Sequence, residues 1–277
     1  MTAAPELDMD KAFAFAFKVL GDITVIELGT LITIADRLGL YDRLAEGGPA
    51  TSAEFADRAQ IHERYAREWL SGMACHGYLT YNNADKRFSL PAEHAFVLAD
   101  HDSPVYLTSM FGMAPAIWHN IDLLTDAFRD GGGVPQARFG DEFWCGFERF
   151  TRTGFRNNLV QDWIPAMPEV DAALRAGGSV ADVGCGNGQA LLFLAKGYPD
   201  AKLVGYDNYA PAIEAANANA AEAGLADRVR YEVVDVTREI PGTFDLITTF
   251  DVVHDMPHPR PALSKIRQAL KPNGTYF

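Results

Sequence analysis

The stretch Val180-Ala-Asp-Val-Gly-Cys-Gly-Asn-Gly-Gln-Ala190 constrains this chain more than any other. A short apolar lead-in, glycines at 184, 186 and 188, and an alanine- and leucine-rich run from Ala190 to Lys196 spell a strand, a tight turn and a helix start. Glycine at such a junction opens left-handed backbone conformations and lets a ligand approach main-chain N–H groups at a helix N-terminus. Spacing narrows the ligand. The dinucleotide pattern G-x-G-x-x-G fails in both registers, because its third position is Gln189 counted from Gly184 and Leu191 counted from Gly186. A phosphate loop would end in Gly-Lys-Ser/Thr, and no lysine stands between Gly184 and Ala190. What remains is D-x-G-x-G-x-G, with Asp182 ahead of the first glycine and no basic group beside it, a pattern suited to a cationic ligand.

This segment resembles motif I of the class I S-adenosylmethionine (SAM)-dependent methyltransferases. The resemblance implies an α/β fold, a Rossmann-like doubly wound sheet, with SAM as cofactor. From Gly178 onward strand and helix patterns alternate, with strands expected at 179–183, 202–206, 229–234 and 245–249 and a fifth beginning at Thr275. Ligands of such sheets bind at the carboxyl ends of the strands. Asp207 follows the second strand; alone it reads as a solvated turn acid, but behind motif I it is implied to accept from the ribose hydroxyls, with Asn208 beside it. Asp235 ends the third strand and reads either as a cap before Thr237 or, by resemblance, as acceptor for the adenine amino group, with the Val236 N–H donating to the ring. Phe250 and Asp251, after the fourth strand, are implied to flank the adenine and the methionine portion. Gly184, Cys185, Gly186 and Gly188 complete the expected cofactor set, with Cys185 a small packing residue and Asp182 acting through the loop. Leu270-Lys-Pro-Asn-Gly274 resembles the turn that precedes the fifth strand in this superfamily.

The N-terminal half reads differently. A length of 277 residues with 48% hydrophobic content suits two domains. We expect a winged-helix and dimerisation domain over 1–100, a helical linker and substrate-wall layer over 101–170, and an incomplete SAM-binding domain over 171–277. Helical periodicity from Asp22 to Leu44 predicts one long helix that stops at Glu46-Gly-Gly-Pro49. Thr51-Ser-Ala-Glu54 is a capping box for a short helix to Ala59, and a second helix spans 61–76. A hairpin follows, Tyr78 to Tyr81 and Arg87 to Leu90 about a polar turn, so the whole reads as a winged helix. DNA recognition would need a basic outer face on the second helix. That helix carries Glu63, Arg64, Arg67 and Glu68 in a chain of net charge −13, and nucleic acid is not an expected partner. Small-molecule O-methyltransferases often use such a domain for dimerisation, so the resemblance implies a homodimer in which Phe13, Phe15, Phe17, Val19 and Leu20 cover the partner. Between residues 103 and 167 large apolar groups recur, with Phe143, Phe147 and Phe150 on one helix face. They read as glue between domains or, by resemblance, as walls of an acceptor pocket.

The apolar run 12–17 follows Asp8 and Asp10 and meets Lys18 and Asp22, unlike a signal segment, and no stretch reaches transmembrane length without charge. Cys75, Cys145 and Cys185 lie far apart with no C-x-x-C. Reduced thiols, a cytoplasmic location and no membrane partner are expected. The chain stops at Phe277, just inside the expected fifth strand, where the resemblance implies a further helix and hairpin; a C-terminal truncation is expected.

A hydroxyl acceptor has to lose a proton, which points to His254 in Asp251-Val-Val-His-Asp-Met256. His254 and Asp255 resemble the His-Asp pair of the small-molecule O-methyltransferases, where the histidine is the base; Met256 stands where many of those enzymes have tryptophan. The alternative is a histidine that only hydrogen-bonds its loop. His254 and His258 do not read as a metal pair, because Pro257 and Pro259 break the helix that spacing needs, and no metal is expected. The implied function is methyl transfer from SAM to a small-molecule acceptor, oxygen favoured. The alternatives are a winged-helix regulator that senses SAM without transferring its methyl group, and an NAD-dependent oxidoreductase.

Overall fold

The computed structural model describes residues 7–277; residues 1–6, the start of the expected N-terminal domain, lie outside the described residues. The chain divides into two compact units. One takes in the chain up to Arg129 together with Val134–Phe147, the other Asp130–Gly133 and Glu148–Phe277.

The first unit begins with α1 (Met9–Leu38), whose start is capped by Asp8 accepting from the Lys11 N–H at 3.2 Å. Periodicity predicted one helix over 22–44. The structure instead starts earlier and breaks at Gly39, where a φ of 61° turns the N–H back onto the carbonyls of Ala35 and Asp36. The helix α2 (Leu40–Gly47) then resumes with Leu40, Tyr41 and Leu44 buried. The apolar repeat runs through the break, so hydrophobic spacing by itself does not register it. Next, α3 (Ser52–Ala59) opens on the expected reciprocal box between Thr51 and Glu54. The helix α4 (Glu63–Cys75) leads into the antiparallel wing, β1 (Thr80–Asn82) and β2 (Arg87–Ser89), and Ala50 bridges to Phe88.

Aromatic packing closes this core: Trp69 stacks on Phe55 at 5.6 Å, meets Tyr41 edge-on at 5.3 Å, and donates its indole N–H to the Leu31 carbonyl at 3.2 Å. Each such ring, fully buried, contributes about 1.5–3 kcal/mol. On α4, Arg64 pairs with Glu68 at 2.8 Å and Arg67 with Glu63 at 3.8 Å, which neutralises the face a DNA reader would keep basic. The first half of α1 is apolar yet open, with Phe13, Phe15, Phe17 and Leu20 each more than half exposed.

In the second unit a five-stranded parallel sheet runs β5-β4-β3-β6-β7, built from β3 (Ser179–Val183), β4 (Lys202–Asp207), β5 (Val229–Val233), β6 (Phe244–Thr248) and β7 (Leu270–Tyr276). Buried apolar side chains on both faces explain the near-continuous hydrophobic runs of its central strands. Chain order reverses between β3 and β6, so the crevice at their carboxyl ends is the topological switch point. The last strand was expected from Thr275, but pairing already begins with Leu270 opposite Phe244. Lys271–Gly274 then loop out before Thr275 joins Leu246, with Asn273 at φ 70° and Lys271 Nζ held 2.7 Å from Asp245 Oδ2. The Lys-Pro-Asn-Gly segment is thus a bulge inside the strand. A nine-residue π-helix, Phe155–Trp163, precedes the sheet, and the Ile164 N–H reaches the Leu159 carbonyl at 3.0 Å.

Candidate functional site

The turn after β3 is fastened from below. All three of its glycines take positive φ, 74° at Gly184, 50° at Gly186 and 80° at Gly188. Space also demands glycine at two of them: a Cβ at Gly184 would run into Val252, and one at Gly188 would stand 2.5 Å from the Tyr231 ring. Only at Gly186 would a Cβ meet nothing within 4 Å. The N–H groups expected to face a ligand are largely spoken for: Gly184 and Cys185 donate to the Tyr206 carbonyl, Gly186 to Asp207, and Gly188 to the Cys185 carbonyl. What stays open is the first turn of the helix Gln189–Gly197, whose N–H groups have no intrahelical partners. Cys185 is 8% exposed, with its thiol pressed toward Gly205, and burial pushes that thiol's pKa up, so its side chain belongs to the core.

Two acids sit under this turn. Asp182 lies inside β3, 2% exposed, and accepts from the Thr248 hydroxyl at 2.7 Å. Burial pushes its pKa up to about 7; the Thr248 bond pulls against that and the charge of Asp207 adds to it. Asp207, at the end of β4, accepts from the Gly186 N–H at 3.0 Å through Oδ2 and from the Tyr209 N–H at 2.9 Å through Oδ1. Burial raises its pKa too, opposed by backbone N–H donors at Tyr209, Gly186 and Asn208. With no cation paired to either among the described residues, Asp207 and, once ionised, Asp182 put negative charge beneath the turn, which is what a cationic ligand would relieve.

Asp235 lies two residues beyond β5 and is exposed. Its Oδ1 accepts from the Thr237 hydroxyl at 2.6 Å and the Thr237 N–H at 3.0 Å, which hold its pKa below the ordinary carboxylate value. Val236 buries its side chain beside the sheet, and Asn208 is exposed. Past β6, Phe250 packs edge-on against Phe155 at 4.8 Å and lies 6.2 Å from Trp163 and 5.8 Å from Phe277, ring centre to ring centre. Asp251 holds a left-handed φ of 59°, and a short 3-10 turn, Val253–Asp255, presents His254. The imidazole is 62% exposed, with Nδ1 3.5 Å from Asp251 and Nε2 3.3 Å from Asp255. Among the described residues no group of three or more side chains could hold a metal ion, and no helix is long and apolar enough to cross a membrane.

Comparison with known proteins bears on both halves. Residues 27–100 match the model of the Rv2258c-like winged HTH domain, and residues 174–277 match that of a methyltransferase domain. The chain thus joins a winged-helix domain to a methyltransferase domain. The mitomycin biosynthesis 6-O-methyltransferase of Streptomyces lavendulae is 27% identical over 248 residues, covering 87% of this chain and 70% of that protein. The aclacinomycin 10-hydroxylase RdmB of Streptomyces purpurascens is 28% identical over 246 residues, 82% of this chain but 63% of its own length. Human N-acetylserotonin methyltransferase, solved in complex with SAM, shares the fold with a TM-score of 0.69 at 19% identity, covering all of this methyltransferase and 80% of that chain. A hydroxylase and an O-methyltransferase within one percentage point of identity to this chain show that likeness of this degree is shared by different chemistries.

Sequence reasoning missed several residues that build the methyltransferase site. Thr248 is the partner of Asp182 because β3 and β6 align them in register. Tyr231 and Val252 are the walls that make Gly188 and Gly184 obligatory, and the Tyr231 hydroxyl donates to the Gly188 carbonyl at 2.7 Å. Glu148, in the helix Gly140–Gly154, accepts from the side-chain amides of Asn187 and, at 2.6 Å, of Gln189. Thr248 and Tyr231 lie on strands that the sequence pattern locates; nothing local signals Val252 or Glu148.

Proposed function

We propose that this methyltransferase transfers its methyl group to an oxygen of a small hydroxylated molecule, with His254 taking the acceptor's proton. The observation that carries the reading is the combination, at the carboxyl ends of the central strands, of the Asp182–Asp207 pair beneath the glycine turn and an exposed histidine past the adjacent strand. SAM is a net cation, with a sulfonium, an ammonium and a carboxylate, and answers that charge. When bound, it supplies a methyl group already activated for in-line displacement, so the protein's task is alignment and proton removal.

Asp207 keeps acceptor capacity beyond its backbone donors and turns it to the ribose hydroxyls. Asp235 and the Val236 N–H receive the adenine edge, and Phe250 and Asp251 line the remainder. One imidazole nitrogen of His254 removes the hydroxyl proton while the carboxylate at the other nitrogen stabilises the imidazolium, an arrangement for which Asp251 and Asp255 stand on either side. The rings of Phe155, Trp163, Phe250 and Phe277 form an edge-to-face aromatic cluster suited to a ring-bearing acceptor. The O-methyltransferase among the relatives supports oxygen as the acceptor atom. Paired arginines on α4 favour this enzyme over a DNA-binding regulator. The exposed phenylalanines of α1 are covered by a second copy in a homodimer, and three free cysteines suit the cytoplasm.

The deciding experiment incubates the full chain with SAM and a panel of phenols and other hydroxylated ring compounds, reading S-adenosylhomocysteine release and the gain of one methyl by mass. Methylated product is expected. A hydroxylated product without S-adenosylhomocysteine release, or binding of NAD and not SAM by calorimetry, overturns the reading.

A further inference from the structure

We propose that Glu148 is the receptor for the ammonium group of the cofactor's amino-acid tail, and that through it the site demands an α-amino acid on the nucleoside. The inference rests on the SAM reading and deepens it. Glu148 comes from the helix Gly140–Gly154, well before the glycine turn in sequence, yet its carboxylate is bonded to the turn itself. Oε2 accepts from the Asn187 side-chain amide in a short contact, and Oε1 accepts from the Gln189 side-chain amide at 2.6 Å. Gln189 is the first residue of the helix Gln189–Gly197, and the Asn187 carbonyl is itself held by the Asn219 amide at 3.0 Å. The carboxylate is therefore fixed at the mouth of the turn, next to the N-terminus of the helix Gln189–Gly197.

Charge decides what it can receive. A nucleoside sulfonium ligand brings two oppositely charged groups at the far end of its tail. The N-terminal N–H groups of the helix Gln189–Gly197 favour an anion, which suits the tail carboxylate. Glu148 repels that carboxylate and attracts the ammonium. Both of the groups it accepts from are neutral amides, so its full charge remains to be answered, and an ionised carboxylate offers about four lone-pair sites, of which two are in use. It is half-buried, which strengthens a charge-assisted bond while leaving a face open to the ligand. A purely structural role, stitching a helix to the turn, would predict that its loss loosens the site for every ligand alike.

The test measures dissociation constants by calorimetry for three probes on the full chain and on Glu148→Gln. The probes are S-adenosylhomocysteine, its deaminated analogue, and 5′-methylthioadenosine, which has no tail. For the wild type, S-adenosylhomocysteine should bind roughly 10- to 100-fold more tightly than the deaminated analogue, the range of a charge-assisted hydrogen bond. In Glu148→Gln that preference should collapse toward unity while 5′-methylthioadenosine affinity stays within about twofold. Preference retained in the variant overturns the assignment, as does an equal loss of affinity for all three probes. A wild type that binds none of the three refutes the SAM reading instead, a distinct result.

Discussion

Raising the pH from about 4 to 8 should take stability from the ligand-free fold at Asp182, whose share a single substitution isolates. Its carboxyl is 2% exposed, and burial, with the neighbouring charge of Asp207 adding and the Thr248 bond opposing, moves its pKa from 3.8 to about 7. An acid whose pKa is higher in the folded state holds its proton more tightly there. Its contribution is thus fully present below the unfolded value of 3.8, is lost as pH rises through the folded value of about 7, and is flat beyond. At about 1.36 kcal/mol per unit, that interval sets an upper bound of about 4 kcal/mol. Asp182→Asn keeps the shape and a carbonyl to accept from Thr248 but carries no charge. Urea unfolding of both proteins, without ligand and at fixed ionic strength, should show the variant more stable at pH 8 by about 1–4 kcal/mol, with the advantage vanishing near pH 4. Carboxyls held low by hydrogen bonds, such as Asp171 and Asp235, contribute in the opposite direction but equally in both proteins, and cancel in the difference. A difference that does not change with pH would refute the reasoning, because it would mean that Asp182 is ionised or neutral alike in both states.

Three further outcomes are expected. Asp207→Ala removes the acceptor for the Gly186 and Tyr209 N–H groups together with the proposed ribose ligand, and should weaken SAM binding by on the order of 1–3 kcal/mol in calorimetry; an unchanged dissociation constant means the ribose lies elsewhere. His254→Ala should lower turnover on the identified acceptor by about 10²–10⁴-fold, with SAM affinity nearly intact, since the imidazole is exposed and outside both cores. Turnover at the wild-type level would make the histidine a loop residue. Phe15→Glu with Phe17→Glu places two charges on the open face of α1 and should convert a dimer to monomer in sedimentation; a wild type that already sediments as a monomer removes the homodimer proposal.

The parallel sheet was readable because its central strands are buried on both faces and therefore written as unbroken apolar runs between turns, and the capping box at Thr51 was readable because both its partners lie within four residues. The Gly39 break was not, since the apolar repeat continues across it while the backbone reverses hand. The start of the last strand was placed late for a related reason: Lys-Pro-Asn-Gly is turn chemistry, and it does bulge, but Leu270 pairs before the bulge begins. At the candidate site, the sequence pattern and the resemblance singled out Asp182, Asp207 and His254, yet they could not show what each one touches. Thr248 meets Asp182 from 66 residues away and Glu148 meets Gln189 from 41, contacts that only the folded sheet and the helix before it bring about.

That distinction changes what the glycines mean. A pattern of three glycines invites the inference that a ligand needs bare backbone at each, but Gly184 and Gly188 are glycine because Val252 and Tyr231 fill the space a side chain would take. The N–H groups nearest them are already bonded within the protein. On the proposed reading, recognition rests less on main-chain donors than on three carboxylates around one turn: Asp182 beneath it, Asp207 across from Gly186, and Glu148 at its mouth. Burial raises the pKa of Asp182 and of Asp207, and the charge of Asp207 adds to the shift of Asp182, so in the proposed site a ligand with a net positive charge gains most by entering. A neutral nucleoside lacks that gain, so the same charges that bind the methyl donor favour release of the uncharged sulfur centre left after transfer.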